Sequence, residues 1–231
     1  MKEDDSIPIL VHQLRVPLVG VHWSIELLLK EEAGSLNEEQ KRMLTKDYEN
    51  VGKLLSTIND VMVLSQKKYN PQNLSLTDMQ QVTTDVIEEL EGKLGEKNIT
   101  LIRNSLGVVF KPLMLDKEKI SVVVENLIEN AINYTLAGGT ITVEVTGNEK
   151  ETHFSIKDTG IGIPPDSQDK IFGKFYRAPN AITLYAHSSG LGLYISREII
   201  EAHGGKLWFE KNSDGPGTTF CFTLPYLSSK E

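Results

Sequence analysis

The sequence predicts an α+β fold in two parts: an antiparallel helical hairpin over residues 1–70, followed by a mixed α/β segment. Apolar residues recur every three or four positions over residues 10–29 and again over 43–65, which is typical of two long amphipathic helices. From residue 74 onward, short strand-like stretches alternate with helical ones. The pattern of predicted secondary structure therefore changes near residue 72, where we expect the boundary between the two parts.

The two helices of the hairpin have predictable ends. The first is expected to kink at Pro17, because proline removes a backbone hydrogen bond and crowds the preceding turn. Residues 33–37 interrupt the apolar pattern, and Asn37 with Gln40 three residues later predicts a capping box for the second helix. Asn70-Pro71 is expected to end that helix.

A single hairpin cannot bury the apolar stripe of both its helices. Pairing with a second copy into a four-helix bundle is therefore the economical prediction, and residues 1–70 would form a homodimer. His12 lies two residues after Leu10 and two before Leu14. At about 100° per residue it falls opposite both leucines, on the solvent face. Taken alone, His12 is most simply interpreted as a solvated surface histidine.

The α/β segment contains seven predicted strands and three longer helices. The strands are expected at residues 74–76, 99–102, 108–110, 140–146, 153–158, 206–210 and 218–224. The helices are expected at residues 78–97, 116–134 and 191–202, with one short helix near 167–172. That short helix lies within residues 160–189, a stretch rich in Gly, Pro, Ser and Asn.

Composition excludes several classes of function. The formal net charge is −8, so binding to the phosphate backbone of a nucleic acid is not expected. The single cysteine, Cys221, cannot form an internal disulfide, which favours a reducing, cytoplasmic location. No apolar run approaches the roughly 20 residues that span a bilayer, and no signal peptide opens the chain. We therefore expect no membrane contact by this polypeptide.

Asparagines form one stripe on the helix that ends near Tyr134. Asn126, Asn130 and Asn133 lie at i, i+4 and i+7, which places them on one face. Asparagine is a middling helix former, and its amide oxygen is a suitable Mg²⁺ ligand beside phosphates. The alternative is an ordinary solvated polar face.

Three glycine-containing turns complete the candidate site. Residues 158–164 (Asp-Thr-Gly-Ile-Gly-Ile-Pro) follow a strand, and the aspartate there could accept a hydrogen bond from an exocyclic amine such as adenine N6. Residues 188–193 (Ser-Ser-Gly-Leu-Gly-Leu) open a helix, whose first N–H groups suit a phosphate. Residues 215–220 (Gly-Pro-Gly-Thr-Thr-Phe) turn into a strand. Each turn taken alone could be purely structural.

Together these segments resemble the conserved boxes of sensor histidine kinases of two-component systems, and the resemblance covers residues 5–227. His12-Gln13-Leu14-Arg15-Val16-Pro17-Leu18 resembles the H box. The others, in order, are Asn126…Asn130…Tyr134 (N), Asp158-Thr159-Gly160-Ile161-Gly162 (G1), Ile171-Phe172-Gly173-Lys174-Phe175-Tyr176-Arg177 (F), Gly190-Leu191-Gly192-Leu193 (G2) and Gly217-Thr218-Thr219-Phe220 (G3). Each box is weak alone, whereas six in register are specific.

The resemblance implies the architecture and the cofactors. Residues 1–70 would be the dimerisation and histidine phosphotransfer domain. Residues 73–231 would be a catalytic, ATP-binding domain of the GHKL (Bergerat) type, an α/β sandwich with helices on one face of a mixed sheet. Residues 164–189 would form the lid over ATP, and Mg²⁺ would accompany the nucleotide.

The resemblance also assigns roles to individual residues. Asp158 would bind adenine N6, Asn130 would hold Mg²⁺ with support from Asn126, and Arg177 would reach the terminal phosphates. Of the two threonines that open the last strand, strand alternation lets only one face the adenine pocket, and Thr218 is favoured over Thr219. The remaining nucleotide-binding candidates are Asn133, Tyr134, Gly160, Gly162, Ile163, Tyr176, Ser189, Gly190, Leu191, Gly192 and Leu193.

The implied reaction is transfer of a phosphoryl group from Mg·ATP to His12, flanked by Gln13 and Arg15, and then to an aspartate of a response-regulator receiver domain. The chain departs from the family pattern at four positions. Gln13 replaces a carboxylate that accepts the histidine proton, which predicts slower autophosphorylation. Val16 replaces a polar residue that orients water, which predicts weak phosphatase activity. Asn133 replaces a basic residue, and Ser188 replaces a glycine.

Two alternatives are kept beside this interpretation. The first is a non-catalytic pseudokinase that binds nucleotide and a receiver domain as a scaffold, which Gln13 supports. The second is another ATPase of the same superfamily, of the mismatch-repair or chaperone type. Those proteins resemble residues 116–220 only and lack the hairpin with a histidine.

Overall fold

A computed structural model describes residues 6–65, 73–104, 111–185 and 188–226. The residues form two compact units that divide near residue 67. The first unit holds helices α1 and α2, and the second holds every other helix and strand described below. The predicted α+β fold class is confirmed: a helix pair precedes a mixed sheet with helices. The strand predicted at 108–110 and the helix end predicted at Asn70-Pro71 lie outside the described residues.

The helical unit consists of α1 (Ser6–Leu29) and α2 (Glu38–Ser65), which pack against each other. α1 continues as one helix through Pro17. The capping box is confirmed, because the Asn37 N–H donates to Gln40 Oε1 at 2.9 Å and the Gln40 N–H donates to Asn37 Oδ1 at 2.8 Å. The ring of His22 stacks on Tyr48 with centroids 4.0 Å apart, which ties the two helices together.

Large apolar side chains remain exposed on this hairpin. Trp23, for example, is 61% exposed. The others on the two helices are Leu14, Val16, Val19, Val21, Met43 and Leu54. Exposed apolar surface of this kind is typical of a site where another protein surface binds.

The α/β unit is built on a five-stranded mixed sheet. Its strands are β2 (Thr100–Asn104), β4 (Thr140–Gly147), β5 (Glu151–Asp158), β6 (Lys206–Lys211) and β7 (Thr218–Pro225), in the spatial order β2-β4-β5-β7-β6. β2 and β4 are parallel and the other neighbours are antiparallel. Every second residue of β4 and β5 is buried, which indicates that one face of the sheet carries the core.

Three helices supply the rest of that core: α3 (Met79–Glu96), α4 (Lys117–Tyr134) and α6 (Gly192–Ala202). α4 packs between α3 and α6 and also contacts β5. A separate antiparallel pair joins β1 (Leu74–Thr77) to β3 (Leu113–Asp116). β3 was not predicted from the sequence, because four residues that run directly into a helix cap offer no turn signal.

α4 is fixed at both of its ends. The Lys119 N–H donates to Asp116 Oδ1 at the N-cap. At the other end, Lys97 Nζ donates to the carbonyl oxygens of Ile132 at 2.7 Å and Asn133 at 3.0 Å. A lysine ammonium at this position satisfies carbonyls that have no partner within the helix.

The short helix predicted near residues 167–172 is wrong. A 3₁₀ turn occupies Pro165–Ser167, and the short helix of this region is α5 (Pro179–Leu184). Both elements begin with a proline, whose fixed φ favours the first position of a helix but does not extend it. In the part of the chain that the structure describes, no helix is long and apolar enough to cross a membrane.

Candidate functional site

Asp158 is the last residue of β5, and its side chain is only 5% exposed. The backbone N–H groups of Gly160 and Thr218 both donate to Oδ1, at 2.8 and 3.3 Å. Oδ2 receives no hydrogen bond from the described residues. Burial raises the pKa of this carboxyl to about 6, although the two hydrogen bonds favour its charged form. The structure thus holds one carboxylate oxygen and leaves the other for a ligand.

The loop after Asp158 lies directly against the end of α4. The Ile161 N–H donates to the carbonyl oxygen of Tyr134 at 3.1 Å. Gly160 is so close to the same carbonyl that a Cβ atom there would overlap it. Gly162 has a φ of 65°, which glycine adopts without strain. Each glycine of the predicted motif therefore meets a specific backbone requirement.

Replacing Gly160 by alanine is expected to destabilise the α/β unit. The new Cβ would meet backbone atoms that cannot move aside, and overpacking of this kind costs about 1–3 kcal/mol. Urea unfolding measures the change. Gly92→Ala in α3 is the matched control, because nothing lies within 4 Å of the Cβ position there. It should not destabilise the unit, since alanine is more favourable than glycine in a helix by up to about 1 kcal/mol. Equal stability of Gly160→Ala and the wild type would contradict the prediction.

The asparagine stripe of α4 faces two different environments. Asn126 lies against the start of α6: its Nδ2 is 3.5 Å from Ser196 Oγ, and a Cβ at Gly192 would lie 3.0 Å from its Oδ1. Asn130 and Asn133, one and two turns further on, are half-buried. The structure therefore gives Asn126 a packing role and leaves the Asn130 amide without a hydrogen bond from the described residues.

Tyr176 and Arg177 bond within the predicted lid segment. The Tyr176 hydroxyl donates to Ser167 Oγ at 3.0 Å. Arg177 Nη2 donates to the carbonyl oxygens of Ala181, within α5, and Tyr185, directly after it. These bonds fold residues 165–185 onto themselves. Ile163, just before this segment, is half-buried.

Gly190 and Gly192 adapt the start of α6 to its neighbours. Gly190 has a φ of 71°, and a Cβ there would lie 2.8 Å from the Phe175 carbonyl carbon. Leu191, fully buried, occupies the N-cap position, where a polar side chain would usually accept from the first N–H groups of a helix. Ser189 and Leu193 are half-buried.

The two threonines at the start of β7 face opposite ways. Thr218 is buried, and its N–H reaches Asp158. Thr219 is half-buried, and its hydroxyl donates to Asn212 Oδ1 at 2.8 Å. Asn212 was missed at the sequence level, because an asparagine before Ser213-Asp214-Gly215 is typical of an ordinary turn.

The residues proposed around the acceptor histidine lie in α1. His12 is part of that helix, but its side chain lies outside the described part of the structure. Gln13, Arg15 and Val16 are exposed. Nothing in the structure tests their roles.

Comparison with known proteins identifies relatives for both units. Residues 115–228 match the family of histidine kinase-, DNA gyrase B- and HSP90-like ATPases. The chain is 33% identical over 227 residues to the sensor histidine kinase WalK of Bacillus subtilis, covering 95% of this chain and 36% of the relative. It is 33% identical over 221 residues to the sensor protein kinase WalK of Staphylococcus aureus, covering 93% and 51%. The chain thus spans about a third to a half of these relatives.

Solved structures give the same result. The full-length ShkA structure in complex with AMPPNP superposes with a TM-score of 0.76 at 25% identity, covering 97% of this chain and 46% of ShkA. The histidine kinase ThkA in complex with the response regulator protein TrrA superposes with a TM-score of 0.67 at 19% identity, covering 100% of this chain and 66% of ThkA. At that identity the second comparison shows the fold alone.

Proposed function

The chain belongs to the sensor histidine kinases, and from this we propose that it transfers the γ-phosphoryl group of ATP to His12 and then to an aspartate of a response-regulator receiver domain. The observation that carries the proposal is the Asp158 carboxylate, with Oδ1 held by two backbone N–H groups and Oδ2 available. A buried acceptor beside a glycine loop suits the exocyclic amine of adenine. The AMPPNP complex of ShkA supports the same assignment.

The nucleotide would be bound from its two ends. Asp158 Oδ2 would accept from adenine N6, with Thr218, Gly160, Gly162, Ile163 and Tyr134 shaping the base pocket. The first N–H groups of α6, after Gly190, would receive the phosphates at the positive end of the helix dipole. Arg177 would exchange its carbonyl partners in the lid for a terminal phosphate, a change of the kind that lids make when they order around a ligand.

Mg²⁺ fits the donor set on α4. The Asn130 amide oxygen is the proposed ligand, because the side chain is half-buried and bonds to none of the described residues. Asn126, held beside Ser196, would support it. When bound, the ion would neutralise charge on the phosphate oxygens.

The chemical step requires a neutral imidazole at position 12. One ring nitrogen attacks the γ-phosphorus, a nitrogen–phosphorus bond forms, and the bond to the ADP oxygen breaks. Histidine is suited to this step because its unperturbed pKa of about 6.5 leaves it largely neutral at pH 7. The histidine must also lose a proton, and Gln13 cannot take one up. We therefore propose slow autophosphorylation, and weak phosphatase activity because Val16 cannot orient water.

The exposed apolar side chains of α1 and α2 support the proposed homodimer, since a second hairpin would cover them. The proposed receiver-domain partner is supported by the solved ThkA–TrrA complex, whose fold this chain shares. We propose that the chain acts on the cytoplasmic side as part of a longer receptor.

Incubation with γ-labelled ATP tests the proposal. The expected result is an acid-labile, base-stable label on the wild type that is lost in His12→Ala. The control is His22→Ala, in the same helix, which should keep the label; circular dichroism would check that both variants fold. Absence of label with ATP binding intact would favour the pseudokinase scaffold instead. Sustained ATP hydrolysis without a phosphoprotein would favour another ATPase of the superfamily.

A further inference from the structure

Asn212 ties the turn between β6 and β7 to the end of β5. Its side chain is buried, and Nδ2 donates to the carbonyl oxygen of Asp158 at 2.7 Å and to that of Pro216 at 3.2 Å. One amide therefore bridges two backbone segments that are more than 50 residues apart in the sequence. Buried amides with both donor hydrogens used are rigid elements of a fold.

The two backbone carbonyls fix the orientation of this amide, because a carbonyl oxygen only accepts and must face the NH₂ group. Oδ1 then points to the other side, where it accepts from the Thr219 hydroxyl at 2.8 Å. A flipped amide would place Oδ1 against the carbonyl oxygens of Asp158 and Pro216, which would repel it.

The tie acts on both parts of Asp158. Asn212 holds the main-chain carbonyl, while the Thr218 N–H, in the same turn-and-strand segment, holds the side chain at Oδ1. Gly217 permits the approach, because a Cβ atom there would overlap the Asp158 carbonyl oxygen. The direction in which Oδ2 points is therefore set by the contact between the β6–β7 turn and β5.

We propose that Asn212, held at Oδ1 by the Thr219 hydroxyl, is a positioning residue that aims the Asp158 carboxylate at the exocyclic amine of the adenine base. This assignment rests on the proposed nucleotide site. Neither Asn212 nor the Thr219 hydroxyl needs to touch the nucleotide. Their effect is expected on base recognition rather than on phosphate binding.

The test compares ADP with inosine diphosphate, which carries a carbonyl in place of the exocyclic amine. Dissociation constants for both nucleotides are measured by calorimetry on the full chain. The wild type is expected to prefer ADP. Asn212→Ala is expected to weaken ADP binding about three- to tenfold, the value of one neutral hydrogen bond, with little change for inosine diphosphate.

Thr219 provides a milder pair of variants that keep the strand intact. Thr219→Val removes the hydroxyl that donates to Asn212 Oδ1 but keeps the shape and strand propensity of the side chain, and is expected to reduce the ADP preference. Thr219→Ser keeps the hydroxyl and is expected to restore it. Thr223→Val, on the same strand and also half-buried, is the control for the loss of a threonine hydroxyl and should leave the preference unchanged.

Three results are decisive. A parallel loss of affinity for both nucleotides in Asn212→Ala and in Thr219→Val would overturn the positioning role, since a general loss of structure would act on both. An unchanged preference in both variants would overturn it as well. A wild type that does not prefer ADP would overturn the proposed adenine site itself, and the positioning role with it.

Discussion

Asp158→Asn is expected to make the α/β unit more stable while abolishing its preference for adenine nucleotides. We expect ADP binding to weaken by about 10- to 100-fold, the range for loss of a hydrogen bond to a charged group. We expect the free energy of unfolding at pH 7 to rise by up to about 3 kcal/mol. Stability and binding move in opposite directions because the same buried charge costs stability and recognises the base.

The binding loss follows from the two backbone donors at Oδ1. Gly160 and Thr218 both donate to that oxygen, so an asparagine would keep its carbonyl there and place its NH₂ group where Oδ2 was. An acceptor that faces the adenine amine would thereby become a donor. Two donors would then face each other, which is worse than a lost bond.

The stability gain follows from burial. Burial raises the pKa of Asp158 from its ordinary 3.8 to about 6, so the folded protein holds a proton more readily than the unfolded chain. The wild type therefore loses stability as the pH rises from about 4 through 6, and the cost is complete above pH 6. The gap between variant and wild type should be widest at pH 7 and close towards pH 4.

Urea unfolding at several pH values and calorimetry with ADP measure the two effects. Asp214→Asn is the control: this carboxyl is exposed and paired with Lys157, which lowers its pKa, so the substitution should bring no gain in stability. An Asp158→Asn protein that binds ADP as well as the wild type would contradict the proposed base contact.

ATP binding by the wild type should also weaken below about pH 6, as Asp158 takes up a proton.

Gln13→Glu is expected to speed autophosphorylation of His12 by up to about 100-fold. A general base adjacent to the nucleophile contributes about 10²–10⁴-fold, and solvent supplies part of that in its absence. Gln13 is exposed on α1, so the substitution should not disturb the packing of the hairpin. Initial rates of label incorporation at saturating ATP measure the change.

Gln13→Leu is the matched variant for this position, because it keeps a side chain of similar size without polar atoms. It should be phosphorylated no faster than the wild type. Equal rates for Gln13→Glu and the wild type, with unchanged ATP affinity, would show that loss of the proton does not limit the reaction.

The parts of the fold that the sequence predicted well are those set by local physics. The Asn37–Gln40 capping box and the strands β4 and β5 each depend on residues a few positions apart. The resemblance to the kinase boxes located Asp158 and Thr218, and the structure shows them in contact.

The parts that were missed depend on distant partners or on very short elements. Asn212 occupies a turn whose local sequence looks ordinary, and its significance comes only from Asp158, far away in the chain. The prediction of a helix near 167–172 failed because the prolines of this region start helical turns at Pro165 and Pro179 without sustaining them. The hydrogen bonds from Arg177 to carbonyl oxygens of the lid were not predicted either, because the family motif assigns this side chain to a phosphate.

The pairing of β5 with β7 has a consequence for how the α/β unit folds. Asp158 and Thr218 are 60 residues apart, so the ligand pocket cannot exist in a chain that has formed only its local helices and hairpins. A nucleotide that binds there would select fully folded molecules. At 100 times its dissociation constant it would add about 2.7 kcal/mol to their stability, which makes the thermal unfolding midpoint of the whole unit a direct reporter of the completed site.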